Sequence, residues 1–531
     1  MKSTSENADS PPPPGADCAV GGWPGYWADR LPESLAVQDA DRQLDWRAFE
    51  ARVARAAGAF QARGIRAGDR IALLLGNRTS YLEIFFAAAR LGAILNPINT
   101  RLTAHEVAFQ LGDGRPACLV HEEALRSLVD ESIRLSSHRP PEIWSLGGPQ
   151  DEYETFLTEA APAAHSRANL PEEPVILMYT SGTTGSPKGA LLPARKVFYN
   201  SLNASVYFQN GPEDRVLVVA PLFHSLALQI LALPIMRAGG GLILQHRFEP
   251  EAVWDAVDQF GITYFGGVPS MHQRLDDALA CHPADHWKRS ALRFVFTAGS
   301  AASVELIRSF QSQDILMIQG YGQTETSVLT CLSAQDALRC AGTVGRPVEH
   351  GEVRVVDRSV ASRSSREWRE TEAGETGEIV VRGPINMIGY WEDAQATAET
   401  LIEGWLCTGD LAQRDEEGFI TLVGRTREIF ISGGENVMPA EVEAVYREHP
   451  AIREVAVVGE PDPEWGEVGR AHLVLEADAV VSLPELDEWG RQRLAAFKVP
   501  RRYQIEPDFP RTASGKIQKY RLIFDPGRVI A

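Results

Sequence analysis

The sequence predicts an α/β protein: a large N-terminal domain of helix-covered β-sheets with a β-rich subdomain, then a small α+β C-terminal domain. Three features predict it. From about residue 45 to residue 330, short continuous apolar runs alternate with amphipathic stretches, the pattern of strands covered by helices on both faces. From about 350 to 424 the runs read as β-rich, and after "GRTREIFISGGENVMP" strands and helices mix in a compact unit.

In chain order, the proline-rich residues 1–24 read as a disordered leader without the apolar core of a secretion signal. "RIALLLGN" is a strand and "SYLEIFFAAARLGA" the helix after it; "RVLVVAPLFH" and "GLILQ" are strands. "EPEAVWDAVDQFG" is a helix, "ITYFGGV" and "ALRFVFTAGS" strands, "VELIRSFQSQ" a helix and "ILMIQGYGQTE" a strand. "GEVRVVD", "GEIVVRG" and "GFITLVG" supply the β-rich subdomain. Helix "AEVEAVYREH", strands "VAVVGE" and "AHLVLEA", and helix "PELDEWGRQRLAAF" form the last domain. The boundary between residues 25–425 and 426–531 is placed at the charged turn near 425–427.

With 44% hydrophobic residues in 531, the chain can bury large cores, so a mostly disordered protein is excluded. A formal charge of −19 argues against nucleic acid or an anionic membrane as partner. Six scattered cysteines lack metal-ligand spacing and read as reduced intracellular thiols. No apolar run reaches the roughly 18 residues of a membrane span, so a soluble, cytoplasmic protein is expected. Lysine is rare, seven among 52 basic residues, so a retained lysine suggests a need for a compact ammonium.

The stretch "YTSGTTGSPKG", 179–189, follows the apolar run "VILM". Gly182 and Gly185 let backbone amides face an anion; Thr180, Ser181, Thr183 and Thr184 add hydroxyls, and Lys188 adds a point charge. That is a polyphosphate cradle. It is not the G-x-x-x-x-G-K-[ST] loop, because Pro187 stands five positions after Gly182, and no dinucleotide GxGxxG is present.

This loop resembles the signature of the adenylate-forming superfamily, which includes acyl-CoA synthetases, peptide-synthetase adenylation domains and beetle luciferases. Four further segments, in order, resemble that family's motifs: "QGYGQTET" (319–326), "TGD" (408–410), "GRTRE" (424–428) and "PRTASGK" (510–516). The resemblance covers nearly all of the chain after residue 25. It implies that the 180–188 loop holds the β,γ-phosphates of ATP. Adenine would lie against Gly320, Tyr321, Gly322 and Thr324, and the ribose on Asp410 and Arg425. Thr184 and Glu325 would be magnesium ligands, since Mg²⁺ prefers one or two carboxylates plus phosphate oxygens. Lys516, which alone reads as a solvated lysine near the C-terminus, would reach the α-phosphate and the substrate carboxylate. Arg427 would be the hinge, at a position where the family carries lysine or aspartate.

The resemblance also implies an acceptor face: "ISGGENVMPAEVE" (431–443) is similar to the segment lining the pantetheine tunnel, with Gly433, Gly434 and Glu435 near the thiol arm. No carrier domain follows, so coenzyme A is the expected acceptor and a separate acyl carrier protein the alternative. The acyl pocket maps to Phe223, His224, Gly267, Val268, Gly299, Ser300, Ala301 and Gln319, with His224 near the carboxylate. Its apolar or small lining favours a hydrophobic acid, aliphatic or aryl. The expected activity is that of an ATP-dependent carboxylic acid–CoA ligase using ATP, Mg²⁺ and coenzyme A through an acyl-AMP intermediate. Its partner is a small-molecule acid, with a homodimer allowed.

Overall fold

A computed structural model of the chain describes residues 19–149, 151–163, 169–180, 187–299, 302–357, 364–426, 428–432, 435–463, 465–477, 479–511 and 517–522. Its contacts divide the chain into two compact units, Met1–Val353 with Val381–Leu406, and Arg354–Val380 with Cys407–Ala531.

The first unit holds two large sheets. In the nine-stranded one, Arg215–Val218, Tyr264–Gly267, Phe294–Thr297 and Met317–Gln323 run parallel, and Ser327–Cys331 turns back antiparallel. Every residue of Tyr264–Gly267 and Phe294–Thr297 is buried, which is why these strands read as unbroken apolar runs. Helices Pro250–Phe260, Pro269–Ala280 and Val304–Ser312 set Trp254, Leu275 and Phe310 in one core with Leu217, Phe265 and Val295. In the seven-stranded sheet Arg70–Leu74 lies parallel to Ile94–Pro97 and to Cys118–Glu122, and Pro174–Thr180 pairs antiparallel with Lys188–Pro193. The helix Thr79–Leu91 ends where Gly92 takes φ +74°, a conformation glycine adopts without penalty.

A third sheet orders Arg369–Glu370, Glu352–Asp357, Thr376–Arg382, Trp405–Arg414 and Leu401–Ile402, with Ile420–Arg425 paired to Trp405–Arg414. In the second unit, a five-stranded sheet and the helices Pro439–Arg447 and Leu483–Arg491 enclose Phe430, Tyr446, Val457, Leu473 and Tyr503. The α/β architecture expected from the sequence is therefore present.

Two expectations are corrected. Packed structure begins at Val20, inside the leader expected to run to residue 24: a turn at Val20–Gly22 leads into helix Trp23–Arg30. Trp23 and Trp27, one helical turn apart, are buried there, and the Trp27 indole donates to the Arg237 carbonyl at 3.1 Å. The last helix stops at Arg491 instead of continuing to Phe497. Gly490, a poor helix former, lies so close to the Tyr446 hydroxyl that an added Cβ would meet it at 2.2 Å, and the chain turns just beyond. Among the described residues, no helix is long and apolar enough to cross a membrane.

Candidate active site

The two arms of the glycine loop form a hairpin in which Thr180 faces Lys188. Ser181, Gly182, Thr183, Thr184 and Gly185 lie outside the described residues. A strand, Lys188–Pro193, and then helix Ala194–Phe208 follow the loop. The Lys188 ammonium sits 5.4 Å from the centre of the Tyr390 ring, and the Tyr390 hydroxyl donates to Glu325 Oε1 at 2.9 Å. A cation from the loop and a carboxylate from the other sheet thus share one aromatic side chain.

Glu325 is carried on a second hairpin, Met317–Gln323 with Ser327–Cys331, closed where Gln323 pairs with Ser327. The turn is tight: Thr326 N–H donates to the Gln323 carbonyl at 3.2 Å, and Ser327 holds φ +62°. Gly322 is required by the facing strand, since a Cβ there would stand 1.7 Å from the Ser327 carbonyl oxygen. Gly320 faces the Phe296 ring, 2.9 Å from an added Cβ. Tyr321 is largely buried, and Thr324 is partly exposed in the turn. From outside the hairpin, Met387 N–H donates to the Glu325 carbonyl at 2.8 Å.

Beneath the turn lies a polar cluster that the sequence did not reveal. The Lys196 ammonium, fully buried, donates to Gln229 Oε1 at 2.9 Å and to Ser327 Oγ. Ser327 Oγ also reaches Gln229 Oε1 at 3.1 Å, and Asn200 Oδ1 accepts from Val328 N–H at 3.3 Å. Gln229 lies on a π-helical segment, Leu226–Ala232. Burial pushes the Lys196 pKa down to about 7, with the Glu325 carboxylate acting in the opposite sense. Lysine rarity was the one available signal, and it does not single out position 196.

On the expected acyl side, Phe223 is buried with its ring centre 4.7 Å from that of the partly buried His224. Gly267 ends a buried strand, Val268 caps the next helix, and Gly299 adopts φ +94° beside the Val268 methyl. Gln319 uses its amide within the fold, accepting from Ala302 N–H at 3.1 Å and donating to the Thr343 carbonyl at 3.0 Å. Ser300 and Ala301 lie outside the described residues.

In the second unit Asp410 and Arg425 are cross-strand partners and form an ion pair, Nε to Oδ1 2.9 Å. Gly409, at φ +71°, donates its N–H to Glu378 at 3.0 Å, which braces the turn before Asp410. Glu435 pairs with Ser432 across a short hairpin. Arg427, Gly433, Gly434 and Lys516 lie outside the described residues. Lys519 joins Glu428 at 2.8 Å to Glu443 at 2.7 Å.

The pattern of the AMP-binding enzyme family matches residues 26–391, and that of the AMP-binding enzyme C-terminal domain matches residues 441–516. The chain belongs to the AMP-binding enzymes. This AMP-binding enzyme is 36% identical to the feruloyl-CoA synthase of an Amycolatopsis species over 94% of its own length and 97% of that protein. It is 34% identical to the indoleacetate–CoA ligase of Aromatoleum aromaticum, covering 93% and 96%. Among solved structures it resembles the o-succinylbenzoate CoA synthetase of Bacillus subtilis. In complex with an acyl-adenylate intermediate, that structure gives a TM-score of 0.83 at 30% identity, covering 95% of this chain and 98% of the other. In complex with ATP and magnesium it gives 0.82 at 30%, covering 94% and 99%. The AMP-binding and acid–CoA ligase character expected from the motifs agrees with these relatives.

Proposed function

We propose that this AMP-binding enzyme is an ATP-dependent carboxylic acid–CoA ligase that activates a hydrophobic aliphatic or aryl acid. The observation that carries this reading is the Lys188–Tyr390–Glu325 arrangement at the stem of the glycine loop. A point charge for phosphate oxygens and a carboxylate for a cation are held beside one another, as nucleotide activation requires. Among the described residues no group of three or more His, Cys, Asp or Glu could hold a metal ion. One carboxylate supplemented by phosphate oxygens fits Mg²⁺ and not a protein-caged metal. Glu325 and Thr184 would hold Mg²⁺, which when bound neutralises charge on the phosphates.

In the first step a carboxylate oxygen of the acid attacks the α-phosphorus of ATP, and the bond to the β-phosphate oxygen breaks to release pyrophosphate. Lys188 and the loop hydroxyls, with the loop glycines Gly182 and Gly185, would bind the departing phosphates. Tyr321, with Gly320, Gly322 and Thr324, would hold adenine; Asp410 and Arg425 would hold the ribose, exchanging part of their mutual ion pair for ribose hydroxyls. Lys516 would stabilise the charge at the α-phosphate. His224 would orient the carboxylate, while Phe223, Gly267, Val268, Gly299, Ser300, Ala301 and the backbone of Gln319 line the acyl group. In the second step the thiol of coenzyme A, losing its proton, attacks the acyl carbon and AMP leaves. Gly433, Gly434 and Glu435 would border that thiol, after rotation of residues 426–531 about Arg427.

The apolar side chains at Phe223 and Val268 favour an acid without a second charge; the relatives named for feruloyl and indoleacetyl groups fit this, whereas the one named for o-succinylbenzoate, a dicarboxylate, does not. Acid-dependent exchange of pyrophosphate into ATP, run over a panel of acids, tests the reading. A dicarboxylate or amino acid as best substrate would overturn the pocket assignment. Thioester formation with free coenzyme A separates the ligase from an enzyme that loads a carrier protein.

A further inference from the structure

We propose that Lys196 is a positioning residue for Glu325: with Gln229 it clamps Ser327 in the backbone conformation that closes the hairpin, and so fixes where the Glu325 carboxylate is presented. The proposal rests on the reading of Glu325 as the magnesium ligand.

Three segments remote in sequence meet at this clamp: the start of helix Ala194–Phe208, the π-helical Leu226–Ala232, and the hairpin around Ser327. Lys196 and Asn200 are 0% exposed, and Gln229 and Ser327 1%. Burying an ammonium is costly, and a well-packed apolar side chain of similar volume would often serve stability as well or better. A lysine kept at this depth needs another reason. Ser327 supplies one. At φ +62° it holds a conformation that costs a residue with a side chain about 1–2 kcal/mol, and such strain persists only where surrounding contacts impose it. The Lys196 ammonium and the Gln229 amide oxygen are those contacts, both on the Ser327 hydroxyl. Across the strand pair, only a glycine at 322 leaves room for the Ser327 carbonyl.

The neighbouring residue braces the other side. Arg195 donates from one guanidinium nitrogen to the carbonyls of Pro384 and Asn386, each at 2.7 Å. The segment so held continues to Met387, which bonds the Glu325 carbonyl, and to Tyr390, which bonds the Glu325 carboxylate. Adjacent residues at one helix start therefore secure both segments that contact Glu325. The strand end at Lys188, part of the phosphate loop, leads into that same helix. Loop and carboxylate are held by one element.

The test uses the full chain and two half-reactions: Mg²⁺ titration of acid-dependent pyrophosphate release, and thioester formation from supplied acyl-adenylate. Lys196→Met keeps the length of the side chain and removes its nitrogen, and with it the hydrogen bonds to Gln229 and Ser327. It should raise the half-saturating Mg²⁺ concentration about 10–100-fold, the usual effect of losing a partner behind a metal ligand, and leave the thioester step unchanged. Ser327→Ala, which deletes only the hydroxyl, should shift Mg²⁺ dependence in the same direction. Adding Ser327→Gly to Lys196→Met should recover part of the loss, because glycine adopts positive φ unaided. Equal loss of both half-reactions in Lys196→Met would make the lysine a general fold contact and overturn the proposal. Should that variant fail to fold, unchanged Mg²⁺ dependence in Ser327→Ala would overturn it instead. A shifted Glu325→Gln beside an unshifted Lys196→Met removes the clamp alone. An unshifted Glu325→Gln removes the ligand assignment and the clamp with it.

Discussion

Replacing Gly322 by alanine inserts one carbon into a space the hairpin does not have. The added Cβ would stand 1.7 Å from the Ser327 carbonyl oxygen, 2.7 Å from its carbon and 3.1 Å from the Val328 Cα, where ordinary contact begins at 3.4 Å. All three obstacles are backbone, so no side-chain rotation relieves them; the strands must part. Overpacking of this kind costs about 3 kcal/mol, a shift of order a hundredfold in the folded-to-unfolded ratio. The same displacement moves Glu325, and a 1 Å misplacement at a reacting centre can cost about 10²-fold in rate. Urea unfolding and acid-dependent pyrophosphate exchange measure the two effects. Gly374→Ala is the control: its φ is +80° with nothing within 4 Å of an added Cβ, so only about 1 kcal/mol of backbone strain is expected, with exchange unaffected. If Gly322→Ala matched Gly374→Ala in both assays, the account of the hairpin would be wrong.

Lys516→Ala should lower acyl-adenylate formation by about 10²–10³ and spare thioester formation from supplied adenylate; equal loss of both steps would contradict separate roles for the two domain faces. Trp27→Ala should destabilise the first unit by about 3–5 kcal/mol, read from the urea midpoint, whereas a leader residue would cost nothing. Burial holds the Lys196 pKa at about 7 against an ordinary 10.5, so between those values the unfolded chain binds a proton the native chain lacks. Native stability should therefore gain from this group as pH rises through that window and be indifferent to it below. Comparing urea midpoints of wild type and Lys196→Met across the window isolates the effect, and parallel curves would contradict it.

The strands of the first unit were legible because burial on both faces leaves unbroken apolar runs, and the stretch "VELIRSFQSQ" is a helix as expected, with Ser303 capping its start. The glycine motifs were legible as chemistry, yet Gly322 carries a second constraint, contact with Ser327, that only the strand register exposes. Helix Trp23–Arg30 was missed because a proline-rich neighbour suggested disorder, although two tryptophans at i and i+4 mark a buried face. Lys196 was illegible for a different reason. A buried lysine looks like any other in sequence, and its partners lie 33 and 131 positions away. Gln319 illustrates the converse: it sits in a recognisable motif while its amide is engaged by Ala302 and Thr343.

The division of the chain has a consequence for its synthesis. Residues 354–380 belong with 407–531, and 381–406 belong with what precedes them, so the polypeptide visits the two units in alternation. Strand Thr376–Arg382 lies in its sheet between Glu352–Asp357 and Trp405–Arg414, and the second of these neighbours leaves the ribosome later. For that interval one edge of the strand is exposed, and unpaired edges invite association with other nascent chains. Neither unit can therefore be released by a single cut. A split at residue 353 would cut strand Glu352–Asp357, and one at residue 406 would cut strand Trp405–Arg414.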